Sequence, residues 1–225
     1  MCLGMAPEYR LGKKETAGRA GQTAGEPAHT RAAKLGSGFI QTQWDAEGYP
    51  IRGPDSTTYS GAIETAEEFG KRLYREAWDR GWSRAEKHVG IGDGAEWIWN
   101  IAPEHFPGAI PMVDLLHARP PVWDLAGQLF PLDKAEGERW ITIEQDNLDE
   151  GQLEELVCSL RSIQVADCDL AEEILTQAEY FAKNADRMRY PKFRGPHWFV
   201  GSGVIEAGRK TVIGAHRARP YAPCA

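Results

Sequence analysis

The chain has 225 residues, 42% hydrophobic and 26% charged, which excludes wholesale disorder and leaves room for one large domain or two small ones. Its 26 Lys and Arg against 33 Asp and Glu give a formal net charge of −7, so charge alone does not mark a nucleic-acid binder. No apolar run approaches the roughly 18 residues of a membrane span, MCLGMAPEYRLGKK lacks a secretory pattern, and Cys2, Cys158, Cys168 and Cys224 contain no Cys-x-x-Cys pair, which argues against zinc or a disulfide framework and for a reducing cytoplasm.

Residues 1–35, rich in Gly, Ala, Thr and Lys and without periodicity, read as a flexible N-terminal segment. Phe39 to Trp44 carries a strand signal, with Ile40, Thr42 and Trp44 on its more apolar face, and Asp45-Ala46-Glu47-Gly48 reads as a hairpin turn. Thr58 to Arg80 reads as a helix through Ile63, Ala66, Phe69, Leu73 and Ala77; Thr65 and Glu68 fit a capping box, Ser60 with Glu64 offers a second start, and Gly81 is a stop. A short strand over Lys87–Ile91 runs into Gly92-Asp93-Gly94, followed by a helix from Glu96 to about Ile101 that Pro103 and Pro107-Gly108 end. Ala109 to Val113 reads as a strand that delivers Asp114, and Pro111 puts it at an edge or a bulge. Val122 to Met188 is helix-rich, broken at Pro131, Gly151 and Asp167–Asp169, with an apolar stripe of Ile174, Ala178, Phe181 and Ala185. Phe199 to Gly203 leads into a final helix carrying Glu206, and the tryptophans read mostly as packing residues. Alternating strands and helices point to an α/β domain with a mixed sheet, with the helical stretch as an insertion or a separate lobe.

Acidic residues crowd the middle of the chain, while Arg10–Lys34 and Lys183–Arg219 are basic. A basic end on an acidic body can grip phosphate, since fields are screened within about 10 Å at 0.1 M salt; two solvated surfaces would read the same way. Asp93 follows a strand, where α/β sheets bind ligands, and a carboxylate there suits Mg2+; Asp is equally suited to capping the next helix. Glu206, in GSGVIEAG, is a second acidic candidate or a solvated residue favoured by the helix dipole. Asp114 and His117 stand one helical turn apart and can bond each other or touch substrate. No P-loop, Gly-x-Ser-x-Gly or His-Glu-x-x-His motif is present.

The strings STTYSGAIETAEEFGKRLYREAWDRGW, GIGDGAEWIWNIAPEHFPGAIPMVDLLHARPPVWDLAGQLFP, NADRMRYPKFR and VGSGVIEAGRKTVIG resemble, in this order, bacterial insertion-sequence transposases of the ISKra group, over about Lys13 to Gly214. The resemblance implies a DDE enzyme with an RNase H-like core at 36–121 and 195–216, a helical insertion at 122–194 and a tail at 217–225. It matches Asp93 and Glu206 to the second and third catalytic, metal-binding acids, and Asp114 with His117 to a supporting pair. It implies two Mg2+ ions, DNA (transposon ends) as partner, and metal-dependent DNA cleavage and strand transfer. The basic segment supplies Lys192, Arg194, Arg209 and Lys210 as nucleic-acid contacts. The chain departs from the family at its ends. Met5 stands roughly where the first Asp falls, and AHRARPYAPCA replaces a long basic helix. Pro120-Pro121 and Ser37, where a Cys is usual, are internal departures. The resulting expectation is a truncated, catalytically inactive copy whose sheet lacks its first strand. The unpaired edge would leave Phe39–Trp44 poorly covered and promote self-association or mixing with full-length transposase. The rivals are a cutting enzyme in which Asp45 or Asp55 replaces the missing Asp, and a non-catalytic DNA-binding or transposase-interacting remnant.

Overall fold

The computed structural model describes residues 2–10, 32–53 and 55–201. The chain is a mixed α/β protein, mostly helical, with one five-stranded sheet and one two-stranded hairpin. The strands are β1 (Cys2–Arg10), β2 (Ala32–Phe39), β3 (Gln41–Trp44), β4 (Pro50–Arg52) and β5 (Thr58–Ala62). Then come α1 (Ala66–Asp79), a 3-10 turn (Trp82–Arg84), β6 (Val89–Gly92), α2 (Glu96–His105) and β7 (Ile110–Val113). The helical part holds α3 (Leu115–Ala118), α4 (Pro120–Leu129), α5 (Lys134–Asp149), α6 (Leu153–Ser162), α7 (Cys168–Asn184), a second 3-10 turn (Ala185–Met188) and α8 (Tyr190–Arg194).

The sheet order is β5-β2-β1-β6-β7. β2 pairs antiparallel with β1 and β5, while β6 pairs parallel with β1 and β7, so β2 alone runs against the other four. This corrects three expectations. The sheet does not lack a first strand: Cys2–Arg10, placed in a flexible 1–35 segment, is its central strand. Ala32–Phe39, half of it assigned to that segment, is paired on both sides, which removes the unpaired-edge reason for self-association. The strand read over Phe39–Trp44 is divided after Phe39, where the chain leaves the sheet for the β3–β4 hairpin. The expected apolar face of that segment is not buried, and Trp44 is half exposed.

Helices cover both faces of the sheet. On β2, Gly36 points at α1, and a Cβ there would lie 2.5 Å from Leu73. By alternation its neighbours face the other way, and Phe39 joins Val89, Ile91, Met112 and Val113 in a cluster with Leu125, Leu148, Leu156, Phe181 and Tyr190 of the helical part. The insertion expected at 122–194 therefore shares one core with the sheet. A second cluster joins Phe69, Leu73 and Ala77 of α1 to Trp82, Ile98 and Phe106. Each fully buried Leu, Ile or Phe contributes about 1.5–3 kcal/mol of transfer free energy, so both faces are anchored.

Local chemistry sets the boundaries. Thr65 accepts the Glu68 N–H at 3.2 Å while the Glu68 carboxylate accepts the Thr65 N–H at 3.1 Å, the reciprocal box expected from sequence. It starts α1 at Ala66, so the helix read from Thr58 begins later and Thr58–Ala62 is the edge strand β5. Pro103 lies inside α2, which continues to His105 and stops before Pro107-Gly108, the second of the two stops read from sequence. That last turn is held by the Phe106 N–H bond to the Ala102 carbonyl at 2.8 Å and by buried His105 against Gly70. Pro111 lies on β7, an edge strand, as its missing N–H requires. Of the tryptophans read as packing residues, Trp82 is buried, whereas Trp78 and Trp123 are 52% and 53% exposed. No helix among the described residues is long and apolar enough to cross a membrane.

Candidate functional site at the carboxyl ends of β6 and β7

The register Gly92↔Val113 ends the β6–β7 ladder, and each strand is followed at once by an aspartate, Asp93 and Asp114. The Asp114 N–H donates to the Gly92 carbonyl at 2.6 Å, so the pairing itself brings the two acids to one end of the sheet. Asp93 Oδ1 accepts the Ala95 N–H at 3.0 Å, a local turn that leads into α2. Asp114 is almost fully buried; its Oδ1 accepts the Leu116 N–H at 2.9 Å and caps α3, and its Oδ2 lies 3.5 Å from His117 Nδ1. The Asp114–His117 juxtaposition expected from sequence is therefore present.

Burial pushes the Asp93 carboxyl above the usual carboxylate range, and Asp114 adds to the effect; the Ala95 N–H and His117 oppose it. Its folded-state pKa lies above the unfolded one. The resulting stability is present at low pH and is lost as pH rises from the unfolded value through the folded one. Asp93→Asn keeps the amide oxygen for Ala95 and removes the buried charge. We expect it to raise Tm at pH 7, each kcal/mol recovered being worth about 2–4 °C in a domain of this size. Thermal scans at pH 7 and pH 3.5 check this: the gain should shrink at the lower pH, and a drop at pH 7 would refute it.

Tyr180 of α7, missed from sequence, closes the site from the helical side. Its hydroxyl donates to the Asp93 carbonyl at 3.0 Å, and burial beside Asp93 and Asp114 pushes its pKa up. Beside it a groove of about 390 Å3 runs between α2 and α7, lined by Trp99, Asn100, Lys183 and Arg187 among others. Arg187 stacks 4.8 Å from the centroid of Trp99, and Lys183 lies 3.3 Å from Glu96. The signal that could have found this wall was the start of the basic segment at Lys183, one helical turn past Tyr180.

Segment 197–201 runs along the sheet toward the acids. Phe199 packs edge-on against Phe39 with centroids 5.4 Å apart, and the Val200 carbonyl accepts the Leu115 N–H at 2.9 Å. A Cβ on Gly201, the last described residue, would lie 3.5 Å from Asp114 Oδ1. Glu206, Arg209 and Lys210 lie outside the described residues. Lys192 is exposed on α8. Arg194 is tied inward: its guanidinium donates to the Asp149 carbonyl at 2.8 Å, and the Asp149 carboxylate also pairs with Arg119. Asp45 and Asp55 are not near Asp93. β2 runs against β6, so the chain that carries them leaves the sheet where β6 begins, and Asp45 Oδ1 is held by the Glu47 and Tyr49 N–H groups of the hairpin turn. The reading in which either replaces the missing Asp is corrected by this placement.

Among the described residues the donors fall short of the set for two Mg2+ ions that the transposase resemblance implies, and Glu206 lies outside those residues. Mg2+ demands near-octahedral oxygen ligation, and no group of three or more His, Cys, Asp or Glu among the described residues could hold a metal. Asp93 and Asp114 each spend one carboxylate oxygen on a backbone N–H, and the other oxygen of Asp114 faces His117.

No family model, curated protein or solved structure matches the chain. The arrangement itself therefore carries the functional argument: two adjacent acids on rigid strand ends, a histidine beside one, and an aromatic groove with two cations alongside.

Proposed function

We propose that the chain is a transposase-derived protein with an RNase H-like core, related to the DDE enzymes of the ISKra group, that handles DNA in the cytoplasm without catalysing strand transfer. The observation that carries this reading is the sheet: five strands in the order β5-β2-β1-β6-β7 with only β2 reversed, and the matched second acid, Asp93, at the end of β6. An RNase H-like core requires that order and places its acids at the ends of neighbouring strands. The parallel register Met5↔Gly92 supports it further. The position matched to the family's first Asp lies on the strand next to Asp93, one residue short of it. With Met there, the chain offers a thioether where a hard cation needs oxygen, so the fold persists without the ligand set that phosphoryl transfer uses.

The second reading, a remnant that only binds DNA or mixes with a full-length transposase, is favoured by the incomplete donor set among the described residues, whereas the inward tie of Arg194 removes one of its expected DNA contacts. Supercoiled plasmid incubated with the purified chain and Mg2+ or Mn2+ tests the proposal. The expected result is no strand transfer and at most faint nicking that Asp93→Asn leaves unchanged. Robust nicking abolished by Asp93→Asn overturns the inactive reading. A salt-dependent gel shift with duplex DNA then separates a DNA-handling chain from an inert fold.

A further inference from the structure

The other end of the sheet carries a second concave surface. Where β6 begins, a groove of about 460 Å3 opens between the β3 strand, the 3-10 turn and the loop that follows it. Two indoles, Trp44 and Trp198, and three cations, Arg80, Arg84 and Lys87, line it beside one acid, Glu86. Trp44 is 50% exposed, an uncommon setting for a large aromatic on a hairpin. It is nonetheless held in place: its Nε1 donates to the His197 carbonyl at 3.0 Å, the same oxygen that accepts from Gln41 Nε2 at 2.7 Å. His197 Nδ1 in turn bonds the Gly48 carbonyl at 2.6 Å, so the hairpin is clamped onto the segment that carries Trp198.

The cations differ in how far they are already engaged. Arg80 donates to the Ser56 carbonyl at 2.6 Å and pairs with Glu76 at 3.4 Å. Arg84 makes no ion pair with a described residue and stands exposed at the groove wall. An exposed guanidinium beside fixed aromatic faces suits an anionic, planar ligand. We propose that this groove binds a single strand of nucleic acid, its phosphates on Arg84 and Lys87 and a base against Trp44.

Three observations favour a single strand. The groove has the volume of a nucleotide rather than of a duplex. Its aromatic surfaces are usable only by an unstacked base. The indole is pre-organised by the His197 bonds, which lowers the ordering cost of binding. The proposal stands apart from the transposase reading, because the groove lies at the opposite end of β6 from Asp93 and needs no metal.

The experiment is fluorescence anisotropy of the full chain with a labelled 15-nucleotide dT strand and with a duplex of equal length. The expected result is tighter binding of the single strand, with a salt slope of about −1.4, as two phosphate contacts give. Arg84→Glu should weaken it at least tenfold, and Trp44→Ala roughly 5- to 100-fold, the range of one lost base stack. Trp44→Phe should keep most of the affinity, and it and Arg84→Glu should melt like the parent, which keeps the test valid if Trp44→Ala unfolds. Equal or tighter duplex binding, an unchanged affinity in Arg84→Glu, loss of binding through Lys192→Glu instead, or preference for a poly-glutamate peptide would each overturn the proposal. An intact single-strand affinity in a chain that shows no duplex binding would support this groove while counting against the DNA-handling transposase reading.

Discussion

Gly94→Ala is expected to destabilise the chain by about 3 kcal/mol or more and to lower Tm by roughly 6–12 °C. Gly94 sits at φ +94°, a region costly for any residue with a Cβ. A methyl group there would stand 2.5 Å from Tyr180 Cε2 and 2.8 Å from its hydroxyl. The ring has no easy retreat, since it packs edge-on against Phe181 at 5.3 Å and its hydroxyl is bonded to the Asp93 carbonyl. Either the backbone after β6 moves and carries Asp93 with it, or Tyr180 leaves and a buried acceptor loses its donor, itself worth about 1–3 kcal/mol. Gly127→Ala is the matched control. Gly127 is exposed inside α4 with nothing within 4 Å of a new Cβ, so the same change should be neutral or stabilising by up to about 1 kcal/mol. Denaturant melts of the two variants check the pair. A neutral Gly94→Ala would mean that the Asp93 turn is not held as described.

The legible parts of the fold were those encoded within a few residues. The Thr65–Glu68 box, the Asp45 turn, the helix break at Asp167–Asp169 and the edge position of Pro111 all rest on side chains that act on their own neighbourhood. The strands β1, β2 and β5 were not legible. CLGMAPEYR, AAKLGSGF and TYSGA are built largely of small residues with little intrinsic preference for strand. They are strands because each is paired in one sheet, and because β2 can admit Leu73 over Gly36, facts that depend on residues far away in sequence. The same distinction governs the site. Asp93 and Asp114 stood out as acids after strand signals. Their adjacency follows from the Gly92↔Val113 register, and the Tyr180 contact joins positions 87 residues apart, which no local pattern records.

The register also gives the transposase reading its strongest test, through Met5→Asp. β1 pairs with β6 at Met5↔Gly92, so the substitution adds a carboxylate on the strand next to Asp93, one residue short of it, where Asp114 already contributes negative charge. Without metal, a third acid near two others should repel them. The variant is expected to melt below the parent in EDTA, because like charges gathered at one end of the sheet disfavour each other's ionised forms. Divalent cation should reverse the loss, since an ion that binds only the folded state stabilises it by mass action. Raising the carboxylate count is the lever that tunes the affinity of hard cations. Mn2+ binding, read by electron paramagnetic resonance, should therefore tighten on the order of tenfold or more over the parent, and Asp93→Asn in the Met5→Asp background should cancel the gain. The parent, with a thioether at position 5, should show only weak binding and a Tm indifferent to Mn2+. If Met5→Asp neither melts lower in EDTA nor recovers with Mn2+, position 5 is not where the third carboxylate belongs. The proposed likeness of this sheet to a DDE core would then lose the register that ties β1 to Asp93.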